Sequence, residues 1–378
     1  MTDLPFNRPY RTGAESARIA AVLERGWTGG NGPQSSHCEM LLKKLTGTHG
    51  VLLTHSCTGA LEMAALLAGV GPDDEVIMPS FTFVSTANAF VLRGATPVFV
   101  DVDPVTLNID PRPVAAALTP RTKAIVAVHY GGVGCDMGAL GTIAADRGLA
   151  LIEDAAQGIG ATLDGRALGA IGDLGALSFH ETKNVSCGEG GALLLNDERW
   201  QERAEILQEK GTNRARFSRG EVDHYTWVDI GSSFLMSDVS AALLADQLEH
   251  LAQITAARLL IWDAYHAALE PLERAGLLQR PTIPAGARHN AHLYRLMLRD
   301  RAARDGLIKA LAAEGIGAYF HYVPLHSAPA GKRFGRVHGP MDVTDAAAGR
   351  LVRLPLWVGM SGGDVNRVAD AVGRALGD

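Results

Sequence analysis

The sequence predicts an α/β fold: a mostly parallel, seven-stranded sheet flanked by helices, followed by a smaller α+β domain. Short β-rich runs alternate with helical patterns between residues 50 and 195, which is typical of a sheet covered by helices on both faces. Several runs, such as residues 124–128, are apolar at every position, as expected of strands buried on both faces. Strand patterns are scarcer in roughly the last 100 residues, which indicates a change of architecture there.

Seven segments of the N-terminal part are expected to form this sheet. They are residues 51–54, 75–78, 97–102, 123–129, 149–154, 175–179 and 192–195. Helical patterns lie between most of them, among them residues 61–67, 113–118 and 137–147. A long amphipathic segment then runs from Asp238 to about Leu269, and we expect it to be a helix that links the two domains.

The C-terminal part combines three strand candidates with two helical patterns. The strands are expected at residues 291–298, 317–322 and 351–356, and the helices near residues 303–314 and 363–376. We therefore expect a large domain over residues 1–245. Residues 246–378 are expected to hold the linking helix and the small α+β domain.

The composition is that of an ordinary globular protein, with 47% apolar and 20% charged residues in 378. The 35 basic and 41 acidic residues give a net charge of −6, and no run of like charges stands out. We therefore expect neither a nucleic-acid partner nor a membrane-surface patch. No apolar stretch reaches the roughly 20 residues that span a bilayer.

The four cysteines are scattered along the chain and form no C-x-x-C pair. This spacing argues against a zinc site and against a disulfide framework, so we expect no metal and free thiols in a reducing compartment. The N-terminus lacks the basic and then apolar layout of a signal peptide. Together these observations predict a cytoplasmic enzyme.

The first motif with chemical content follows the first predicted strand. Small and hydroxylated residues, including Cys57 and Thr58, follow Thr54 and lead into a helix. Free N–H groups in the first turn of a helix, with the Thr58 hydroxyl, make an anion site that suits a phosphate. Taken alone, the pattern is more often a capped helix without a ligand.

The second motif places an acid at the end of another apolar run. Asp154 follows residues 151–153, so its carboxylate is expected at the carboxyl end of the strand, with Gln157 close behind. A carboxylate in that place can pair with a pyridinium nitrogen and keep it protonated. The alternative is an acidic cap on the next helix.

The third motif places a lysine just after an apolar strand and just before the glycine-rich loop 187–191. A lone lysine is usually a solvated surface residue, but Lys183 lies where the chain is tightly constrained. An amine there can condense with an aldehyde if its surroundings lower its pKa. Ser178, at the end of the strand, could add a hydroxyl to the phosphate site.

Each motif is weak alone, but together they supply a phosphate cradle, an acid for a pyridinium nitrogen and an amine for an aldehyde. Those are the three anchors of pyridoxal 5'-phosphate. These stretches resemble the DegT/DnrJ/EryC/StrS sugar aminotransferases, which are fold-type-I pyridoxal-phosphate enzymes. The segments PSFTF at 79–83, FVDVD at 99–103 and PLH at 324–326 carry the likeness over nearly the whole chain.

The resemblance implies roles for individual residues. Lys183 would bind the cofactor covalently and move protons, and Asp154 would contact the ring nitrogen. Gln157 would contact the ring face or its phenolic side. The resemblance also implies that Cys57, Thr58 and Ser178 hold the phosphate and that Phe83 stacks on the ring. Phe83 could instead be an ordinary core residue.

A closer likeness suggests the substrate. Residues 80–90, 209–214 and 225–227 resemble bacterial enzymes that aminate C4 of dTDP-4-keto-6-deoxyglucose, with glutamate as the usual donor. The cofactor would then alternate between pyridoxal phosphate and pyridoxamine phosphate. Candidates for the pocket of the dTDP-linked keto sugar are aromatic or imidazole side chains, each of which could equally be a satisfied core residue: His180, Tyr319, His321, Tyr322 and His326.

The likeness includes one departure. Many members of the family carry Asn and Arg in the loop that corresponds to residues 231–236, whereas this chain has Ser233 and Leu235. In the family this loop reaches the cofactor of the partner subunit, so the resemblance implies a homodimer with shared active sites. A serine can still donate a hydrogen bond to the phosphate across the dimer, but a leucine cannot.

Two other functions remain open at this point. One is a sugar dehydratase of the same family, although those enzymes carry His in place of Lys183. The other is a non-catalytic sensor of the cofactor or of a nucleotide sugar, against which the lysine–aspartate pair weighs. The sequence leaves open whether the new amine is axial or equatorial at C4.

Overall fold

The computed structural model describes residues 3–377, so the first two residues and the last one, which belong to the two predicted domains, lie outside the described chain. Thirteen strands lie within these residues: β1 Gly50–Thr54, β2 Glu75–Pro79, β3 Thr96–Val100, β4 Thr122–Val128, β5 Ala150–Asp154, β6 Thr162–Leu163, β7 Arg166–Ala167, β8 Leu174–Ser178, β9 Gly191–Leu195, β10 Ala287–Arg288, β11 Tyr294–Met297, β12 Arg336–Val337 and β13 Leu351–Leu354.

Fifteen α-helices accompany them: α1 Glu15–Arg25, α2 Pro33–Thr46, α3 Cys57–Leu67, α4 Val84–Val91, α5 Pro111–Ala117, α6 Met137–Arg147, α7 Gln201–Gln208, α8 Arg214–Ser218, α9 Asp238–Glu249, α10 Leu251–Ala268, α11 Glu270–Arg274, α12 Arg301–Ala313, α13 Pro329–Phe334, α14 Asp342–Arg350 and α15 Gly362–Gly377. Short 3-10 turns lie at Tyr130–Gly132, Glu198–Trp200 and Leu325–Ser327. Among residues 3–377, no helix is both long and apolar enough to cross a membrane.

The central sheet has the order β1-β9-β8-β5-β4-β2-β3-β12. Only β9 runs in the direction opposite to the other seven strands, so the prediction of a mostly parallel α/β sheet is confirmed. The seven predicted strands are all present. The sequence analysis missed the eighth, β12, which is two residues long and pairs with the edge strand β3. A strand that short has no periodicity by which it could be recognised.

Both faces of the sheet are covered, which explains the uninterrupted apolar runs. Within β2, Val76 and Met78 pack into the cluster with α3 and α4, whereas Ile77 packs on the opposite face against α5 and α6. Because successive side chains of a strand point to opposite faces, a strand buried on both must be apolar throughout. The separate two-stranded sheet of β11 and β13 packs with α10, α12 and α15 in a second cluster.

The expected linking helix is interrupted. Helix α9 ends at Glu249 and α10 begins at Leu251, with His250 between them. The His250 ring nitrogen Nδ1 lies 2.7 Å from the carbonyl oxygen of Asp246, the acceptor that the His250 N–H would use in a continuous helix. That N–H bonds instead to the carbonyl of Gln247. The side chain therefore competes with the backbone, and periodicity does not reveal such competition.

The strand expected at residues 317–322 is not formed. Tyr319 exchanges two backbone hydrogen bonds with Arg353 of β13, of 3.2 and 2.8 Å, but the neighbouring residues do not continue the ladder. His321 and Tyr322 instead leave the sheet and contact Tyr130 and Gln157. Tertiary contacts therefore override the apolar and aromatic pattern of this segment.

Candidate active site

A cavity of about 600 Å³ lies at the carboxyl edge of the sheet. That edge is where a parallel sheet places its ligands. The lining includes eleven side chains that the sequence singled out: Cys57, Thr58, Phe83, Asp154, Gln157, Ser178, His180, Lys183, Tyr319, His321 and Tyr322. Residues that are far apart in sequence thus meet in one space.

One end of the cavity is built by the start of α3 and the end of β8. Ser56 caps the helix by accepting a hydrogen bond from the Gly59 N–H, and within residues 3–377 the N–H groups of Cys57 and Thr58 have no hydrogen-bond partner. Ser178 ends β8 beside them. Two free N–H groups, the positive end of a helix and a hydroxyl make a site for a phosphate.

Glycine is required where β9 passes this helix. A Cβ atom at Gly191 would lie 2.4 Å from the Cys57 nitrogen, so a larger residue would push the helix N-terminus away from the sheet. The Thr58 hydroxyl is 2.7 Å from that of Ser85, which fixes its orientation at the cavity wall. The glycine-rich loop therefore shapes the cradle without contributing a side chain.

Asp154 lies at the end of β5 and is buried. Its Oδ2 accepts a 2.7 Å hydrogen bond from the Thr86 hydroxyl, which is itself 2.8 Å from that of Thr82, and its Oδ1 accepts from the Ala156 N–H at 3.2 Å. These bonds hold the carboxylate in one orientation at the cavity wall. The sequence analysis missed Thr86, although it lies within residues 80–90, one of the segments that carry the closer likeness.

A second buried acid lies behind the first. Glu153 accepts hydrogen bonds from the His129 ring at 2.7 Å and from the backbone N–H groups of Gly169, Ile171 and Gly172. Burial acts to raise the pKa of Glu153, but these hydrogen bonds outweigh it and lower the pKa below its ordinary value. The Glu153 carboxylate therefore holds the loop after β7 in place through hydrogen bonds and is not available to a ligand.

Lys183 lies in the loop after β8, where its N–H donates to the His180 carbonyl at 2.9 Å. Within residues 3–377 its amine makes no hydrogen bond or ion pair, and it faces the cavity with Asp154. Burial lowers the pKa of Lys183; the charge of Asp154 opposes this shift and that of Arg353 adds to it. A lowered pKa leaves more of the amine neutral and nucleophilic at a given pH.

Gln157 is held from two sides. Its Oε1 accepts from the Gly131 N–H at 2.6 Å, and its Nε2 donates to the Tyr322 hydroxyl at 2.9 Å. The Tyr130 hydroxyl lies 3.1 Å from Nδ1 of His321. Burial raises the pKa of Tyr322 and lowers that of His321, so both side chains are neutral. Gln157, His321 and Tyr322 line the cavity, and hydrogen bonds with Tyr130 and Gly131 hold this group in place.

Three of the remaining candidate residues line the cavity, and the fourth lies outside it. Phe83 is 59% exposed and lines the cavity, so it is not the core residue that remained an alternative. Tyr319, also half-exposed, and His180 lie at the rim. His326 departs from expectation, because it does not line the cavity. Its ring is 2.8 Å from the Ser80 hydroxyl and its Nε2 is 3.4 Å from Asp345, so it joins two segments outside the site.

The structure also brings together residues that the sequence analysis missed. His292, Arg258 and Arg353 line the cavity from the C-terminal part of the chain. Arg353 is the charged residue of the apolar strand β13, and an arginine in such a strand was a signal that could have been used. The Arg258 guanidinium already donates hydrogen bonds to the backbone carbonyls of residues 291 and 292, at 3.0 and 2.8 Å.

The loop that departs from the family pattern does not line this cavity. Ser233 pairs through its backbone with Glu209, and Leu235 packs so closely against Gly30 that a Cβ there would lie 2.7 Å from the leucine Cβ. Among residues 3–377, no cluster of His, Cys, Asp or Glu could hold a metal ion.

The groups in the cavity fit pyridoxal phosphate. The unpaired N–H groups of Cys57 and Thr58, with the Ser178 hydroxyl, suit its phosphate. The oriented carboxylate of Asp154 suits the ring nitrogen, and the unpaired amine of Lys183 suits the aldehyde. This set of groups at the carboxyl edge of a mostly parallel sheet defines a fold-type-I pyridoxal-phosphate enzyme.

Comparisons with known proteins agree. The model of the DegT/DnrJ/EryC1/StrS aminotransferase family matches residues 9–373. The spore coat polysaccharide biosynthesis protein SpsC of Bacillus subtilis is 38% identical over 377 residues, which cover 98% of this chain and 96% of that protein. The crystal structure of the aminotransferase TlmJ from Streptoalloteichus hindustanus is 34% identical, with a TM-score of 0.91 over 100% of this chain and 99% of that one.

The putative sugar aminotransferase Spr1654 from Streptococcus pneumoniae is 26% identical, with a TM-score of 0.91 over 100% of this chain. Its structures include a pyridoxal-phosphate form and a pyridoxamine-phosphate form, of which 99% and 98% are covered. The chain therefore belongs to the DegT/DnrJ/EryC1/StrS aminotransferase family. It is a pyridoxal-phosphate-dependent sugar aminotransferase.

Proposed function

We propose that this enzyme transfers the amino group of L-glutamate to C4 of dTDP-4-keto-6-deoxy-D-glucose. The product is a dTDP-4-amino-4,6-dideoxyhexose of galacto or gluco configuration, for use in sugar biosynthesis. The observation that carries the amino transfer is the unpaired Lys183 amine in one cavity with the oriented carboxylate of Asp154. The sugar follows from the likeness of residues 80–90, 209–214 and 225–227 to enzymes that act on it.

When bound, pyridoxal phosphate supplies an aldehyde that condenses with amines and a ring that takes up electron density from the reacting carbon. The Cys57 and Thr58 N–H groups and the Ser178 hydroxyl would hold its phosphate. Asp154 would keep the ring nitrogen protonated, and Phe83 would cover the ring. The Lys183 amine would take the proton from the α-carbon of the donor.

Covalent labelling tests the assignment of the lysine. Protein mixed with pyridoxal phosphate and then reduced with borohydride should carry the phosphopyridoxyl group on Lys183, as located by mass spectrometry of its peptides. A label on another residue, or none, would overturn the assignment.

The amino transfer has its own test. Glutamate added to the loaded protein should convert the cofactor to pyridoxamine phosphate with release of 2-oxoglutarate, which a non-catalytic sensor would not do. Initial rates with both substrates should follow ping-pong kinetics. A dehydratase would instead release water from the sugar without transferring nitrogen.

The sugar is tested by comparing dTDP-4-keto-6-deoxyglucose with its UDP counterpart at equal concentrations. We expect faster turnover of the dTDP sugar, and NMR of the product gives the configuration of the new amine at C4. Equal inactivity on both sugars refutes this substrate while leaving the donor half of the reaction intact.

We also propose a homodimer with shared active sites, in the cytoplasm. Large apolar side chains are exposed on the isolated chain near the 231–236 loop, among them Trp227, which is 77% exposed. Such exposure favours a protein partner. All four cysteines are free thiols, which suits a reducing compartment. Light scattering that gives a monomer mass would contradict the dimer.

A further inference from the structure

Arg353 is the most unusual residue in the cavity. It stands in the apolar strand β13, and its guanidinium lies 4.8 Å from the centre of the Phe6 ring. Its Nη2 donates to the carbonyl oxygen of Phe320 at 3.0 Å, but its Nε is buried and has no hydrogen-bond partner among residues 3–377. A buried N–H without an acceptor is costly, and an arginine side chain can offer two parallel donors to a planar anion.

No acidic side chain of the described residues pairs with Arg353. Within the described chain it forms no salt bridge, and the carboxylates that line the cavity are Asp154 and Glu189. Asp154 is already bonded to Thr86 and Ala156, and the Glu189 side chain is 72% exposed at the rim. The charge of Arg353 is therefore not neutralised by an acid of the described chain, and an anionic ligand could pair with it.

Arg353 lines the same cavity as the Lys183 amine. Its charge contributes to the lowered pKa of Lys183 and of His321, after the larger effect of burial on each. All three side chains line the one cavity. Neither of those neighbours is an acid, and a ligand anion beside Arg353 would lie in the same cavity as the Lys183 amine.

We propose that Arg353 is a specificity-determining residue that binds the α-carboxylate of the amino donor. This inference rests on the proposed amino transfer. In an amino acid the carboxylate is attached to the carbon that loses its proton, so a cation in the same cavity as the Lys183 amine is placed to bind it. The diphosphate of a nucleotide sugar is attached at C1, across the ring from the reacting C4, and therefore lies farther from the lysine.

The test separates the two substrates. In Arg353→Gln, the KM for glutamate should rise about 10- to 100-fold, as expected when a charged hydrogen-bonded pair is lost, while the KM for the keto sugar stays within about twofold. Glutarate has two carboxylates and no amine, and its inhibition constant against glutamate should rise by a similar factor. Arg374→Gln, which removes an exposed arginine of α15, is the matched control and should change neither constant.

Arg353→Lys provides a second variant that keeps the charge in case Arg353→Gln does not fold. Lysine cannot form two parallel hydrogen bonds, so we expect a smaller rise in the glutamate KM, of about 3- to 10-fold. Unchanged glutamate constants in a folded variant overturn the proposal, as does a rise confined to the sugar. Wild-type protein that reacts with no amino acid refutes the proposed function instead, so the two failures are distinguishable.

Discussion

The Thr86 hydroxyl donates a 2.7 Å hydrogen bond to the carboxylate of Asp154, and both residues are buried. Thr86 lies in helix α4 and Asp154 at the end of β5, so the bond ties a helix to the carboxyl edge of the sheet. This hydrogen bond fixes the orientation of the Asp154 carboxylate. A carboxylate that must contact one ring nitrogen depends on such an orientation, and this relationship suggests the first prediction.

Replacing Thr86 with Val should weaken cofactor binding. The change removes the hydroxyl with little change of shape, so the Asp154 carboxylate loses one partner that orients it. We expect the dissociation constant for pyridoxal phosphate to rise about 10-fold, measured by absorbance titration of cofactor-free protein. Thr86→Ser keeps the hydroxyl and should bind nearly as wild type. Equal affinity of the Val variant would show that the bond has no role in orientation.

Replacing Lys183 with Ala should abolish turnover. The variant lacks the amine that takes the α-proton, and general acid–base groups contribute on the order of 100- to 10,000-fold. We expect kcat to fall by at least about 1,000-fold in a coupled assay for 2-oxoglutarate. Lys123→Ala, which removes an exposed lysine of β4, is the control. A Lys183→Ala protein that reacts at the wild-type rate would refute the assignment.

Ser178 offers a test of the phosphate cradle. In Ser178→Ala the affinity for pyridoxal phosphate should fall about 5- to 10-fold, because one hydrogen bond to a charged oxygen is lost. Pyridoxal, which has no phosphate, should bind the variant and the wild type equally. Both affinities can be measured by the same titration. A parallel loss for pyridoxal would mean that Ser178 supports the ring or the fold and not the phosphate.

The stability of the cofactor-free protein should depend on the charge of Lys183. Its pKa is lower in the folded protein than the ordinary value of about 10.4, because burial disfavours the ammonium. Between these two pKa values the unfolded chain binds more protons, so the free energy of unfolding should rise with pH, by up to about 1 kcal/mol per pH unit.

Urea unfolding of cofactor-free wild type and Lys183→Met as pH rises toward about 10 measures this effect. The Met variant has no amine to deprotonate, so its stability should be higher at low pH and should lack the increment. Parallel pH profiles for the two proteins would show that Lys183 is not desolvated.

Much of the site could be predicted because it depends on local patterns. Lys183, Asp154 and Cys57 each follow an apolar strand, and the carboxyl ends of parallel strands meet at one edge of a sheet. Three motifs that are weak alone therefore converge on one place once the fold class is known. The structure brings these three residues to one cavity.

The differences between the structure and the sequence analysis have a common physical cause. His326 and Arg353 both lie in the C-terminal part, and packing against other segments sets the direction of each side chain. His326 turns toward Ser80, whereas Arg353, which the sequence analysis passed over, enters the cavity. In the same way, the His250 side chain interrupts a helix that the apolar periodicity predicts to be continuous.

The sequence by itself determined the mostly parallel sheet and its apolar strands, and it predicted three cofactor anchors, because these follow from periodicity and from the position of a residue at a strand end. Only the tertiary structure decided which residues surround those anchors. Thr86 reaches Asp154 from 68 positions away, and Arg353 lines the cavity of Lys183 from another part of the chain. Contacts of that kind arise from packing between distant segments, and no local pattern encodes them.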